Sequence, residues 1–356
     1  MDDSIVHARK AQQEIVKVSV NNEKEREVLR TNFHLPPAPP IFYGRDEIVQ
    51  IVISQLVPSQ DEKQAGHTAI LGTGGIGKTS VALSVIHSPA IQAHFQEHRY
   101  FIACDSLMDP DGIITALATA FNISASGNLS SRQKSVLSQL GRYVGFVGRP
   151  ILIFLDNFET PWEPPSTRGQ VEEILSNLAG TPNVTILLTM RGAERPYGVP
   201  WSRPFLPPVS TLDNDSARKL FLMMSDVPED DPTLFELLDA LDNLPLALLK
   251  RWKMERTAML NRGDENRLTN LDVSIQVSLS SERLQISPIT LSLLQILSML
   301  PDGAHTSELV AMSINHQDVP GAITILRQVA LVQESGSTGR IRMLSPVREH
   351  LRSYYP

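Results

Sequence analysis

Residues 72–79 read Gly72-Thr73-Gly74-Gly75-Ile76-Gly77-Lys78-Thr79, with an apolar run over 67–71 before them and a helical pattern over 79–87 after them. A glycine, four residues and then Gly-Lys-Thr, set between a strand and a helix, is the phosphate-loop pattern. Glycines let backbone N–H groups turn inward around phosphate oxygens, and the start of the helix adds partial positive charge. The candidate phosphate contacts are therefore Gly72, Thr73, Gly74, Gly75, Ile76, Gly77, Lys78, Thr79 and Ser80. Lys78 is expected to reach the β- and γ-phosphates of ATP or ADP, and Thr79 to ligate Mg²⁺ through its hydroxyl.

Such a loop needs a parallel sheet beneath it, and the surrounding pattern supplies one. Apolar runs at 67–71, 100–104, 151–155 and 184–189 alternate with helical patterns at 79–87, 111–121, 133–144 and 169–178. Short, fully apolar strands that alternate with helices argue for an α/β fold, with helices on both faces of the sheet. Ile151-Leu152-Ile153-Phe154-Leu155-Asp156 puts a carboxylate at the C-terminal end of a buried strand, where ligands bind in open α/β sheets. Asp156 is the candidate second Mg²⁺ ligand. Asn157 follows where many active ATPases carry a second acid, so slow hydrolysis or none is expected. Glu159 is the nearby candidate for the catalytic carboxylate. The next apolar strand ends in Thr189-Met190-Arg191, which places Arg191 to sense a γ-phosphate.

Prolines cluster at 36–40, 161–165 and 196–208, as expected of linkers and loops. Leu35-Pro36-Pro37-Ala38-Pro39-Pro40 reads as a stiff polyproline linker. Residues 1–34 are polar, with Ile5, Ala8, Ala11, Ile15 and Val16 at roughly helical spacing. They suit a marginal helix or a partly disordered leader equally well. Beyond 211 the strand patterns stop. Helical patterns cover 215–224, with Asp215 or Ser216 as its cap, 233–241, 245–254 and 289–300. Two further short helical patterns precede a hairpin pattern at 331–334 and 340–344, the order of a winged helix. The expected organisation is a leader at 1–34, a linker at 35–40, a nucleotide-binding domain at 41–210, an all-α lid at 211–275 and a winged-helix domain at 276–356.

Taken in order, these motifs resemble those of the signal-transducing NTPases with numerous domains (STAND). They resemble most the NB-ARC branch, which includes fungal NOD-like receptors. Phe42-Tyr43-Gly44-Arg45-Asp46-Glu47 is similar to the family's entry motif, Leu155-Asp156-Asn157-Phe158-Glu159-Thr160 to its Walker B strand end, and Thr189-Met190-Arg191 to its sensor. Asn243-Leu244-Pro245-Leu246-Ala247 is similar to its Gly-Leu-Pro-Leu-Ala motif. The resemblance implies adenine contacts from Tyr43, Gly44, Arg45 and Pro245, and a switch that ADP closes and ATP opens for self-assembly or signalling. An immune or cell-death role is implied by resemblance alone. Met343-Leu344-Ser345 stands where the family has Met-His-Asp, so the histidine that holds the ADP β-phosphate is replaced by Leu344, which cannot donate a hydrogen bond. The family's repeat sensor is not found before Pro356, which suits a bare core, a fragment or a chain that borrows its sensor from a partner.

A continuously turning-over ATPase, with Lys78, Thr79, Asp156 and Glu159 as its catalytic set, and a non-catalytic ADP-bound scaffold are the other readings. No Asn-Lys-x-Asp guanine motif occurs. The net charge of −7, and a candidate recognition helix over 320–331 with Arg327 as its only basic residue, argue against nucleic acid as a partner. No run reaches the roughly 18 apolar residues of a transmembrane helix. The single cysteine, Cys104, lies in an apolar strand and reads as core; with no signal-peptide pattern it points to a reducing, cytoplasmic compartment.

Overall fold

A computed structural model describes residues 35–58, 66–225, 227–229, 231–249, 275, 278–279, 281–285, 288–312, 318–335 and 339–354. The leader at 1–34 and residues 250–254 of the helix expected at 245–254 lie outside the described residues.

The four apolar runs form one parallel sheet: β1 (Thr68–Gly72), β2 (Arg99–Ala103), β3 (Ile151–Asp156) and β4 (Val184–Arg191), in the spatial order β1-β4-β3-β2. Neighbouring strands are all parallel. β1 and β3 are buried at every residue, whereas the edge strand β2 alternates. Continuous apolarity marks strands covered on both faces, and alternation marks the half-covered edge.

Side chains alternate across each strand, so one sequence feeds two cores. Ile70, Leu152, Phe154 and Leu187 pack with α1 (Asp46–Leu56), α2 (Lys78–Ile86) and α3 (Pro89–Phe95). That core runs on into the C-terminal helices α11 (Pro288–Met299), α12 (Thr306–Met312) and α13 (Val319–Gln328). Leu71, Ile153, Leu155 and Leu188 face the other way, against α4 (Pro110–Ala120), α5 (Leu129–Val147) and α7 (Arg168–Ala179), which follows the single turn α6 (Glu159–Trp162). Cys104 is fully buried in this second core, which raises its thiol pKa and leaves it unreactive.

The outer edge of β1 is covered by the proline-rich segment after β4. Ser202 N–H donates to His67 O at 2.8 Å and Val209 N–H to Leu71 O at 2.7 Å. This shields backbone that would otherwise be an open edge.

The third core joins α8 (Asn214–Leu222) and α9 (Thr233–Ala240) to Leu248 in the helical stretch 245–249. The cap of α8 is Asp213, not Asp215 or Ser216. Its extended backbone (φ −68, ψ 162) lets Oδ1 accept Ser216 N–H at 2.8 Å. Asp215 instead pairs with Lys219 one turn on, at 2.6 Å. After α10 (Glu282–Gln285), α11, α12 and α13 comes a two-residue antiparallel pair, β5 (Gln333–Glu334) and β6 (Ile341–Arg342), and then α14 (Ser345–Tyr354).

Candidate functional site

The glycine loop leaves β1 at Gly72 and enters α2 through Gly77, with Gly75 and Gly77 at φ 76 and 95. Side chains other than glycine rarely adopt that region. Gly77 is the left-handed N-cap of α2, and no side chain caps the helix. Gly75 serves a second purpose. A Cβ there would lie 2.8 Å from Leu246 Cβ, and Leu246 N–H donates to Gly75 O at 3.2 Å. The helical stretch 245–249 can approach the loop this closely only because position 75 has no side chain.

Lys78 is buried, and its ammonium donates to Gly72 O at 3.1 Å and Thr73 O at 2.9 Å. Burial lowers its pKa to about 8, with Glu159 opposing that shift.

At the C-terminal end of the sheet, β4 lies between the loop strand β1 and the Asp156 strand β3. This order delivers Thr189 to Asp156. Thr79 Oγ1 donates to Asp156 Oδ1 at 2.8 Å, and Thr189 Oγ1 donates to the same oxygen at 2.5 Å. Thr189 Oγ1 also accepts Asn157 N–H at 3.1 Å, which fixes Asn157 in its left-handed conformation (φ 57). Burial raises the Asp156 pKa, and the two hydroxyls oppose that rise. Thr189 was recognisable in the sequence only as part of a sensor-like triplet; its grip on a carboxylate 33 residues away comes from strand order.

One cleft is lined by Gly74, Gly75, Gly77, Lys78, Thr79, Ser80, Asn157, Arg191, Pro245, Leu246 and Leu249. The structure thus brings together the loop, the end of β4 and the helical stretch 245–249. Glu159 is not among the residues that line this cleft. It begins α6 and faces an adjoining cavity with Trp162, Glu163, Ser278 and Arg283. Its Oε1 lies 3.0 Å from Arg191 Nε, and its Oε2 accepts Arg191 N–H at 3.1 Å. The expected catalytic carboxylate is therefore paired with Arg191.

Tyr43, Gly44 and Arg45 sit against α8 and the back of the loop. Tyr43 is half-buried on the third core. Gly44 (φ 66) lies so close to Ser216 that a Cβ would come within 2.5 Å of Ser216 Cβ. Arg45 is buried and donates to Ser210 O at 2.7 Å and, at the limit of a hydrogen bond, to Ile76 O at 3.5 Å. These three residues do not line the cleft that holds Lys78.

Leu344 and Met343 are both buried in the first core. The polar contact next to them is made by Asp242, whose carboxylate accepts from the Arg342 guanidinium and from Ser345 N–H at the start of α14. Among the described residues no helix is long and apolar enough to cross a membrane, and no group of three or more His, Cys, Asp or Glu side chains could hold a metal ion.

Comparison with known proteins agrees with this architecture. No protein-family profile matches the chain. It is 25% identical over 345 residues to the regulatory protein AfsR of Streptomyces griseus, covering 90% of this chain but only 33% of that protein. Among solved structures, the Walker-type ATPase of Pyrococcus abyssi superposes with a TM-score of 0.58 at 16% identity, over 90% of this chain and all of that one. The Aeropyrum pernix ORC2 protein, in ADPNP–ADP complexes, gives 0.53 at 14% identity, over 91% and 97% of the two chains. The A. pernix ORC1 protein, in complex with DNA, gives 0.50 at 16%, over 89% and 94%. The fold is that of the P-loop ATPases.

Proposed function

We propose that this chain is an ATP/ADP-operated switch of NB-ARC type with slow hydrolysis. The observation that carries the reading is the composite wall of the cleft, in which the glycine loop, Arg191 and the Pro245–Leu246 stretch face one space. A nucleotide in that space would touch both the sheet and the helical segment, so its phosphate number would bear on how the two are held. A ligand shifts a conformational equilibrium only through different affinity for the two states. The relative named as a regulatory protein agrees with a switch more readily than with a metabolic enzyme.

In this reading Lys78 and the N–H groups of residues 74–80 bind the β-phosphate, and Arg191 meets a γ-phosphate. Thr79 and Asp156 fit Mg²⁺, since they offer hard oxygens side by side. Mg²⁺ usually takes one or two protein ligands and completes its shell with water and phosphate. When bound it would neutralise developing phosphate charge. Pro245 is assigned to the adenine, together with the entry segment Tyr43-Gly44-Arg45. Slow turnover follows from Asn157 in the cleft and Glu159 outside it.

Helices α11–α13 with the β5–β6 pair are read as a winged helix that packs rather than binds nucleic acid. The basic side chain of α13, Arg327, is paired with Glu334 at 2.8 Å. The DNA in the ORC1 complex belongs to that protein, and at 16% identity it is not carried over. Self-assembly on exchange, an unidentified protein signalling partner and a cytoplasmic location belong to the same proposal.

A steadily working ATPase is the competing reading, favoured by the ATPase fold of the structural neighbours. The nucleotide carried by the purified protein, released by denaturation and identified by chromatography, separates the two when turnover is assayed on the same sample. Stoichiometric ADP with very slow turnover supports the switch. An empty site with brisk turnover rejects it.

A further inference from the structure

Arg191 ends β4 at the wall between two cavities, one lined by the glycine loop and the other by Glu159, Trp162 and Ser278. Its side chain is only 18% exposed. Its contacts include Glu159 and Ser278. Nε meets Glu159 Oε1 at 3.0 Å, the backbone N–H donates to Glu159 Oε2 at 3.1 Å, and Nη1 donates to Ser278 Oγ at 3.3 Å. A general base must come within hydrogen-bond reach of the proton it takes, directly or through one water. Glu159 here turns both oxygens to Arg191 and lines the other cavity.

We propose that Glu159 is a positioning residue that sets the preference of the site for diphosphate over triphosphate by engaging Arg191, the guanidinium that would otherwise meet the γ-phosphate. This rests on the nucleotide-switch reading and names the residue that tunes it. To meet a γ-phosphate, Arg191 must exchange a buried carboxylate for the phosphate. Breaking a buried ion pair leaves an uncompensated charge and is costly. ATP therefore binds with part of its γ-phosphate energy offset by the loss of the Glu159 pair, whereas ADP leaves the pair intact. When Arg191 leaves, it also gives up Ser278. Three residues after Ser278, Ser281 hydrogen-bonds Glu163, and two residues further on Arg283 stacks on Trp162 and pairs with Glu194 at 3.0 Å. The exchange of partners at Arg191 thereby reaches the contact between α6 and the C-terminal segment.

The test is the ratio of ATP to ADP dissociation constants, measured by calorimetry with Mg²⁺ on the full chain. Glu159→Gln keeps an acceptor for the Arg191 N–H but removes the charge. It should tighten ATP relative to ADP by about tenfold. Arg191→Ala should weaken ATP relative to ADP, and Glu159→Gln should then have no further effect on the ratio. If Glu159→Gln does not fold, Glu159→Asp shortens the carboxylate's reach and should move the ratio in the same direction. A ratio within about twofold of wild type in the variant that folds overturns the proposal. So does an unchanged ratio with turnover down by a factor of roughly 100 or more, since that is the signature of a lost general base. A wild-type chain that binds neither nucleotide would instead reject the site itself, which separates the two failures.

Discussion

Lys78 carries a conflict that pH can expose. Its ammonium is buried on two carbonyls of its own loop, and burial lowers its pKa to about 8. Phosphate oxygens would raise that pKa again, because an opposite charge favours the protonated form. Below about pH 8 Lys78 is charged with or without nucleotide, so affinity should not change with pH. Above it the free site loses its proton and binding must take one up. ADP affinity should then fall towards about tenfold per pH unit. Titration of ADP from about pH 7 to about pH 9.5 in wild type and Lys78→Ala checks this, with the slope expected only in wild type. A flat wild-type profile would mean that Lys78 is not the phosphate cation. The candidate role of Lys78 was legible because loop motifs are local. The partner of Glu159 was not, since Arg191 lies 32 residues further on and only strand order brings the two together.

At the scale of elements, the sheet was read from sequence to within a residue or two at most ends because both of its faces are buried, and burial writes itself as unbroken apolarity. Helix α1 was not anticipated although Val49, Val52 and Leu56 recur at helical spacing, and α3, with seven residues, is too short to show a period. The same burial sets a pH limit on the sheet. His67, just before β1, is 2% exposed and its Nδ1 accepts Ile186 N–H at 3.1 Å, tying the start of β1 to β4. Burial lowers the His67 pKa to about 4. The unfolded chain binds a proton near the ordinary value of about 6.5, so it binds more protons than the folded chain between about 6.5 and about 4. Stability should fall as pH drops through that window, by up to roughly 3 kcal/mol from this residue. His67→Gln should be less stable at neutral pH and should lose this part of the acid sensitivity, as measured by urea unfolding at several pH values. An unchanged acid slope would assign the sensitivity to carboxylates.

The loop and the helical stretch 245–249 form a second joint between elements. Gly75→Ala places a Cβ 2.8 Å from Leu246 Cβ at a left-handed position, where a side chain costs about 1–2 kcal/mol before any clash. The variant should therefore melt lower and bind nucleotide more weakly, because the 245–249 stretch is pushed off the cleft. Unaltered thermal midpoint and affinity would show that the approach of Leu246 is not needed.

For the whole molecule, the resemblance left open what would do the work of a histidine where this chain has Leu344. Leu344 is core, and the adjoining polar contact passes to Asp242. Asp242 stands just before the stretch that packs on Gly75, and its carboxylate is 13% exposed, so it links the cleft to β6 and α14. A second contact point lies at Gly192, where a Cβ would fall 1.9 Å from Gln328 O and where φ is 90. If these joints hold the C-terminal segment closed over the nucleotide region, loosening either one should give the same result by different chemistry. Asp242→Ala removes the acceptor of Arg342 and Ser345, a loss of about 1.5–3 kcal/mol for hydrogen bonds to a charged group. Gly192→Ala wedges β4 and α13 apart without touching a charge. Each should speed ADP release by about tenfold or more and increase the radius of gyration in small-angle scattering, while the glycine loop itself is unaltered. If the two variants release ADP at the wild-type rate and keep its dimensions, closure does not depend on this face. The nucleotide would then have to hold the molecule through the cleft residues alone.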